Sequence, residues 1–195
     1  GVIPVDATNF PDENFRNWIL AQDYGKDGYL NEVEIAAVTA ISVSGKSIKS
    51  LKGIELFTAL TVLRCSGNQL NALDVSKNTA LETLECHYNQ LTTLDVSNNK
   101  ALIELSCYDN QIRGESMDAL VNSLHEVTNG ILYAYSPFFD SATSNLMTKE
   151  QVAVATGKGW RVKDPVSGGD VSGVIPIDAT TFPDENFRNW ILAQD

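Results

Sequence analysis

A repeat of 21 residues in the middle of the chain constrains the fold more than any other feature of the sequence. Residues 59–79 and 80–100 align without gaps, and a third copy opens at residue 101 and then diverges. All three copies carry the pattern L-x-x-L-x-C-x-x-N-x-[LI]. One coil of this length cannot bury its own apolar side chains, so the copies are predicted to stack and fold as a unit.

Each copy is predicted to contribute one short strand. Side chains alternate between the two faces of a strand, so Leu63 and Cys65 are expected to point inward while Arg64 and Ser66 point outward. The asparagine of each motif falls where the chain turns off the strand, and its amide can satisfy backbone groups that the turn leaves unpaired. Three asparagines are therefore predicted to be structural, namely Asn68, Asn89 and Asn110.

The pattern continues in weaker form on both sides of the three copies. Residues 38–60 have the apolar spacing of a divergent first coil, and residues 117–124 have helical spacing. The alternation in residues 131–135 predicts a further strand. Near the end of this region, Thr148-x-x-Gln151 has the form of a capping box that begins a helix, and residues 160–162 predict a final strand.

The three cysteines follow the repeat, since Cys65, Cys86 and Cys107 are each 21 residues apart. They occupy the same inward position in successive coils, which favours a buried stack of small apolar side chains. A disulfide is the first alternative, because neighbouring strands lie ~4.8 Å apart, but parallel side-chain vectors suit that bond poorly. A metal site is the second alternative, and it lacks the close C-x-x-C spacing and the nearby histidines.

A segment that precedes the repeats resembles the calcium-binding loop of an EF-hand. It begins with an aspartate, has Gly28 at the sixth position, where the loop turns sharply, and ends with a glutamate. Helices are predicted on both flanks. Gly25 occupies the third position, which normally supplies a ligand, so weak calcium binding is expected. The candidate metal ligands are Asp23, Asp27, the carbonyl of Tyr29, Asn31 and Glu34.

The same loop can also be held without a metal ion. Asn31-x-x-Glu34 is a capping arrangement for the helix that follows, and Asp27-Gly28 is a common turn. Both alternatives stay open at the level of sequence.

The chain is acidic, with 25 Asp and Glu residues against 14 Lys and Arg and a net charge of -11. Such a surface repels phosphate backbones and anionic lipids, so neither nucleic acid nor a membrane surface is an expected partner. No apolar run approaches the ~20 residues of a membrane span, so no membrane insertion is expected. The sequence also begins without a recognisable leader, which predicts a cytosolic protein or a mature secreted form.

Residues 173–195 repeat residues 1–23 with two substitutions, Val5 to Ile177 and Asn9 to Thr181. This near-identity indicates tandem duplication. The apolar face of the duplicated helix predicts docking, either on the far end of the repeats or on another molecule, which would allow self-association. The predicted divisions are an EF-hand-like helical cap at 1–40, repeats at 41–135, a C-terminal cap at 136–164, a mobile linker at 165–172 and a truncated second cap at 173–195.

The repeat pattern, joints such as Ser76-Lys-Asn78-Thr-Ala80, and the D-x-x-x-D-G-x-L motif at residues 23–30 resemble leucine-rich-repeat proteins of gut bacteria that are similar in style to internalins. The resemblance covers residues 10–163. It implies an α/β solenoid with parallel strands on the concave face, a helical N-terminal cap and a helix-strand C-terminal cap. It also implies a secreted or cell-surface protein that serves in adhesion or interaction.

The outward positions of the predicted strands carry tyrosines and charged groups. Tyrosine is a good contact residue for proteins, and its ring can stack on sugars, so a protein or glycan ligand is expected on the concave face. The alternatives are a solvated sheet surface without a ligand and a spacer in a tandem surface array, with calcium only stabilising the cap. The candidate ligand-binding residues are Arg64, Glu85, His87, Tyr88, Tyr108, Asp109, Tyr133 and Tyr135.

An enzymatic role is not expected. The chain has two histidines, and neither belongs to an evident Ser/His/Asp order, phosphate loop or paired-carboxylate pocket.

Overall fold

The N-terminal cap is a small unit of two strands and two helices. The computed structural model describes residues 1–135 and 144–171, so the duplicated segment 173–195 lies outside the described residues. Strands β1 and β2 pair antiparallel, and an aspartate, Asp12, caps the first helix by accepting a hydrogen bond from the Phe15 backbone N–H at 3.0 Å. The elements are β1 (Val2–Pro4), α1 (Glu13–Leu20), β2 (Tyr29–Asn31) and α2 (Glu32–Ala37).

Six short parallel strands form one sheet in the order of the sequence, one strand per coil. This arrangement confirms the predicted α/β leucine-rich-repeat solenoid. The connections between strands stay short and irregular in the central coils, whereas two later coils have helical backs. The strands are β3 (Ala40–Ser42), β4 (Val62–Arg64), β5 (Thr83–Glu85), β6 (Glu104–Ser106), β7 (Gly130–Tyr133) and β8 (Trp160–Val162).

The register of the sheet stacks one apolar side chain from each coil in a single column. In the first five coils, the side chain two positions after this residue points to the same face and is also buried, as the predicted alternation of Leu63 and Cys65 required. Removing each such leucine or isoleucine from water contributes about 1.5–3 kcal/mol. The members of this column are buried, and they are Ile41, Leu63, Leu84, Leu105, Leu132 and Val162.

The three cysteines are buried and unpaired, which confirms the predicted stack of free thiols. Burial raises the pKa of Cys65 and of Cys107 to about 12 and raises that of Cys86 well above its usual value. The thiols therefore stay protonated at neutral pH and pack as small apolar groups.

The repeated asparagines form a hydrogen-bonded ladder along one side of the sheet. Asn68 Nδ2 donates to the carbonyl of Cys65 in its own coil and to that of Val43 in the coil before, both at 2.9 Å. Its Oδ1 accepts from the backbone N–H of Ile48 at 3.0 Å. Asn89 and Asn110 repeat this geometry one and two coils later, so the structural role predicted for all three is confirmed.

Asn145 is a fourth member of the ladder, and it was not predicted from the sequence. Its Nδ2 donates to the carbonyls of Cys107 at 2.8 Å and Ala134 at 2.7 Å, and its Oδ1 accepts from the Ile112 N–H at 2.9 Å. It lies 35 residues after Asn110, because a helix is inserted into this coil, so the 21-residue spacing gives no sign of it.

The helices predicted toward the C-terminus are confirmed as α3 (Glu115–Ser123) and α4 (Lys149–Gly157). The Thr148–Gln151 capping box begins α4 as predicted. Lys158 follows this helix, and its Nζ donates to the carbonyls of Asn122 at 2.6 Å and Leu124 at 2.7 Å, which satisfies the end of α3. None of the helices in the described part of the chain has the length and apolar composition of a bilayer span.

The segment after β8 turns back onto that strand. Val171 N–H donates to the Val162 carbonyl at 2.8 Å, and Lys163 Nζ lies 2.9 Å from Asp170 Oδ1. Residues 165–171, predicted to be a mobile linker, are thus hydrogen-bonded to the last coil, because their Gly-rich turn lets the chain reverse direction along the edge of β8.

Candidate ligand-binding face

The first row of candidate residues lies across neighbouring strands, as the sequence analysis proposed. The register pairs Arg64 with Glu85, Glu85 with Ser106, and Ser106 with Tyr133. Arg64 Nε lies 2.8 Å from Glu85 Oε1, so the two charges form an ion pair across β4 and β5. Tyr133 is half-buried at the other end of the row.

A second row of candidate residues lies two positions further along the chain in each coil, and two of its rings are in parallel contact. His87 and Tyr108 stack with their centroids 4.6 Å apart and their planes 7° apart. The Oγ of Ser106 lies 3.0 Å from Nδ1 of His87 and fixes the orientation of the imidazole. Burial lowers the pKa of His87 below its usual value, so the ring is neutral at neutral pH.

Tyr88 completes an aromatic cluster, which we define as His87, Tyr88 and Tyr108. The Tyr88 ring meets His87 edge-on at 5.4 Å and Tyr108 edge-on at 5.3 Å. Its side chain is 53% exposed, so the cluster offers one accessible ring beside two half-buried rings. Edge-on contacts of this kind hold rings in fixed positions before a ligand arrives.

Tyr88 and Asp109 have backbone conformations that side chains rarely adopt. The equivalent position in four successive coils is left-handed, with φ of +65° at Gly45, +64° at Gly67, +54° at Tyr88 and +49° at Asp109. Glycine fills the position in the first two of these coils, as the conformation favours. A residue with a Cβ costs about 1–2 kcal/mol there.

Closure of the coil does not require a side chain at this position. Gly67 shows that the coil closes without a side chain at this position, and a Cβ built there meets its nearest atom, the Gly45 nitrogen, only at 3.7 Å. Strained positions of this kind concentrate at functional sites. Aligning the repeats puts Gly67, Tyr88 and Asp109 in one column, but only the backbone angles show that the column is left-handed.

The electrostatic environment of the cluster is negative. Burial, then the neighbouring Tyr88 and Asp109, raise the pKa of Tyr108 to about 12. Burial, then the nearby Asp109, raise the pKa of Tyr88. Both phenols therefore remain protonated donors at neutral pH.

Tyr135 belongs to a different environment from the cluster. It packs against the core, and it lies near Asp164, at the start of the turn after β8. Burial and this carboxylate raise the pKa of Tyr135. Its ring thus joins the concave face to the C-terminal turn.

The Ser106–His87 pair has the hydrogen-bond geometry of a nucleophile and a base, but its surroundings are those of packed side chains. Ser106 is only 5% exposed, and the Tyr108 ring covers one face of the imidazole. A substrate carbonyl therefore has no approach to the hydroxyl.

The loop predicted to bind calcium contains the capping box that the sequence offered as the alternative way to hold it. Asn31 Oδ1 accepts from the Glu34 N–H at 3.0 Å, and Glu34 Oε2 accepts from the Asn31 N–H at 2.8 Å, so these two candidate ligands form a capping box. Asp27 Oδ1 accepts from the Tyr29 N–H, and Asp23 pairs with Lys26. Among the described residues, no three His, Cys, Asp or Glu side chains converge as a metal site.

Gly25, the departure from the EF-hand pattern, has a packing reason. A Cβ at this position would lie 2.4 Å from the carbonyl oxygen of Ile19, the last buried residue of α1. Any ligand-bearing side chain at the third loop position would collide with that backbone. In this conformation the residues present do not fit a calcium ion, and its binding remains a prediction from the sequence.

Comparison with known proteins shows which known fold this chain shares. No family model matches the chain. Internalin J of Listeria monocytogenes is 36% identical over 71 residues, which make up 36% of this chain and 8% of that protein. The chain thus spans less than a tenth of the curated relative.

Two solved structures from the same organism share the architecture. The functional domain of InlJ, which includes a cysteine ladder, matches 84% of this chain and 40% of that one, with 24% identity and a TM-score of 0.57. The internalin InlF matches 83% of this chain and 54% of that one, with 21% identity and a TM-score of 0.55. The fold is therefore an internalin-like leucine-rich-repeat solenoid.

Proposed function

We propose that this solenoid is a non-catalytic binding or adhesion module that recognises a protein or a glycan through its concave face. The observation that carries the proposal is the pair Tyr88 and Asp109, held in left-handed conformations where the preceding coils use glycine. The chain carries side chains at this position in two adjacent coils, where Tyr88 belongs to the aromatic cluster and Asp109 lies next to Tyr108 in the chain.

The shape of the face supports contact with a large ligand. The short parallel strands set their outward side chains in rows across four coils, so a ligand can touch several coils at once. Tyrosine rings supply large contact areas with little loss of conformational freedom, and their hydroxyls donate hydrogen bonds. A secreted or cell-surface location belongs to the same proposal, as the resemblance to internalins implies.

A screen of the full chain on glycan and protein arrays tests this function, with Tyr88→Gly as the diagnostic variant. Glycine suits the left-handed backbone, so this change removes the ring and leaves the coil intact. We expect capture of the ligand to fall at least about tenfold, as loss of a central aromatic contact does.

Tyr29→Ala is the matched control for that screen. Tyr29 lies in the cap and is 49% exposed, close to the 53% of Tyr88, so a ring of similar exposure is lost away from the face. Capture that survives Tyr88→Gly unchanged would contradict the proposal and favour a spacer module.

A further inference from the structure

Residues 1–23 cover one end of the solenoid through contacts with its first coil, residues 38–60. Asp12 connects the two parts, since its Oδ2 accepts hydrogen bonds from the backbone N–H of Lys49 at 2.7 Å and from that of Ser50 at 3.2 Å. Its other oxygen, Oδ1, caps α1. One side chain thus begins the helix and fixes it to the coil.

Apolar contacts complete this junction. The Phe10 ring lies so close to Gly53 that a Cβ at the glycine would collide with it. The side chains that residues 1–23 bury in the same core are Val5, Phe10, Phe15 and Ile19. The first coil is therefore shaped to receive this particular segment.

Residues 173–195 carry the same groups as residues 1–23. One of the two substitutions between the segments is at Asn9, whose amide hydrogen-bonds to two groups of its own segment. The other exchanges Val5 for an isoleucine, which is one methylene larger. The counterparts of the remaining groups at the junction are unchanged, and they are Phe182, Asp184, Phe187 and Ile191. The second segment is thus complementary to the same coil.

The second segment cannot take the place of the first within one molecule, because it begins at the opposite end of the solenoid. Val171 is hydrogen-bonded to Val162 on β8, and β3 lies five strand spacings away from β8. At ~4.8 Å for each spacing, that separation is about 24 Å. The counterpart of β1 begins at residue 174, and three residues span at most about 11 Å. Full replacement therefore needs another molecule.

We propose that the first coil of this chain is a docking site for residues 173–195 of a second copy, which take the place of residues 1–23 there. Asp184 then accepts the hydrogen bonds that Asp12 accepts, and Phe182 packs on Gly53. Because it joins opposite ends of two molecules, the contact can be repeated from copy to copy.

The exchange makes and breaks equivalent contacts, so concentration sets its balance. Residues 1–23 belong to the same chain as the first coil and act there at an effective concentration of about 1 mM. The natural chain is therefore mainly monomeric well below that concentration. Weakening residues 1–23 alone shifts the balance toward assembly.

Variants of the full chain test the inference by sedimentation equilibrium between about 10 μM and about 1 mM, up to the effective concentration. Asp12→Ala removes the helix cap and both hydrogen bonds to the first coil, and it leaves residues 173–195 unchanged. We expect its association constant to exceed that of the natural chain at least about tenfold, as the loss of a cap and its neighbouring bonds does.

The double variant Asp12→Ala/Asp184→Ala is the matched control. Its own cap is loosened to the same degree, but residues 173–195 have lost the same groups, so its association constant should return to that of the natural chain. Asp184→Ala alone should associate at least about tenfold less than the natural chain. Circular dichroism checks that each variant is folded. Asp12→Asn and Asp184→Asn, which still cap a helix, replace any alanine variant that is not, with the same order expected.

Equal association of the double variant and Asp12→Ala would overturn the inference, since loosened caps would then adhere without residues 173–195. Equal association of Asp12→Ala and the natural chain, or monomers throughout the series, would overturn it as well.

Discussion

The imidazole of His87 and the phenol ring of Tyr108 come from neighbouring coils and stack with their planes only 7° apart. Their contact depends on the register that pairs β5 with β6, since a slip of one residue would turn one of the rings toward the core. The stack therefore ties the binding face to the same register that buries the leucines.

Acidification is expected to destabilise the chain through His87. Burial lowers the pKa of His87 below 6.5, so its contribution is complete above that value and is lost as the pH falls toward the folded-state pKa. His87→Phe keeps a ring for stacking and should flatten the pH dependence of the urea midpoint between about pH 7.5 and about pH 5. His125, whose pKa burial also lowers, supplies the remaining dependence, and His125→Phe is the comparison. A slope unchanged by His87→Phe would contradict the prediction.

The left-handed column predicts opposite responses at two equivalent positions. Gly67→Ala should lower the free energy of unfolding by about 1–2 kcal/mol. The added Cβ has room, so the loss comes from the left-handed backbone, which alanine adopts unfavourably. Tyr88→Gly should be more stable than Tyr88→Ala by a similar amount, about 1–2 kcal/mol, since both lose the ring and only alanine keeps the strain. Denaturant unfolding measures all three variants. Equal stability of Tyr88→Gly and Tyr88→Ala would show that the left-handed backbone at this position is not strained.

Asn145 is expected to be as important to stability as the asparagines within the repeat. Asn145→Ala leaves two buried carbonyls and one buried N–H without the side chain that joins them. At about 1–3 kcal/mol for each group left unsatisfied, the loss should be at least about 3 kcal/mol. Asn71→Ala, at an exposed position, is the control, and thermal unfolding distinguishes them. A loss below about 1 kcal/mol for Asn145→Ala would show that the hydrogen bonds of Asn145 contribute little to stability, unlike those predicted for the other ladder asparagines.

One variant distinguishes the two roles predicted for Glu34, which are weak calcium binding and capping of α2. Glu34→Gln removes the twelfth-position carboxylate, and glutamine at this helix position still caps. If the loop leaves its capping arrangement to bind calcium, as the sequence predicts, calcium at ten times its Kd raises the melting temperature of the natural chain by about 2–4 °C and leaves that of Glu34→Gln unchanged. Identical melting temperatures of the natural chain in calcium and in EDTA would leave the capping box as the sole role of Glu34.

The parts of this structure that repeat could be predicted from the sequence, and the parts that depend on contacts between distant segments could not. Strand positions, the cysteine stack and the Asn68 geometry follow from the 21-residue spacing, because each coil faces the same surroundings. Asn145 could not be predicted in this way, because α3 lengthens its coil and only the folded chain brings it beside Cys107. Gly25 was identified as a departure, but the Ile19 carbonyl that requires it is visible only in three dimensions.

The column that runs through Gly45, Gly67, Tyr88 and Asp109 has a consequence for how such solenoids diversify. Each coil has one position whose side chain touches no core, so its exchange alters backbone energy by a modest, bounded amount and leaves the stack undisturbed. Mutations can thus rewrite the contact surface one coil at a time. If the face binds as proposed, substitutions in this column would change the partner while the architecture stays fixed.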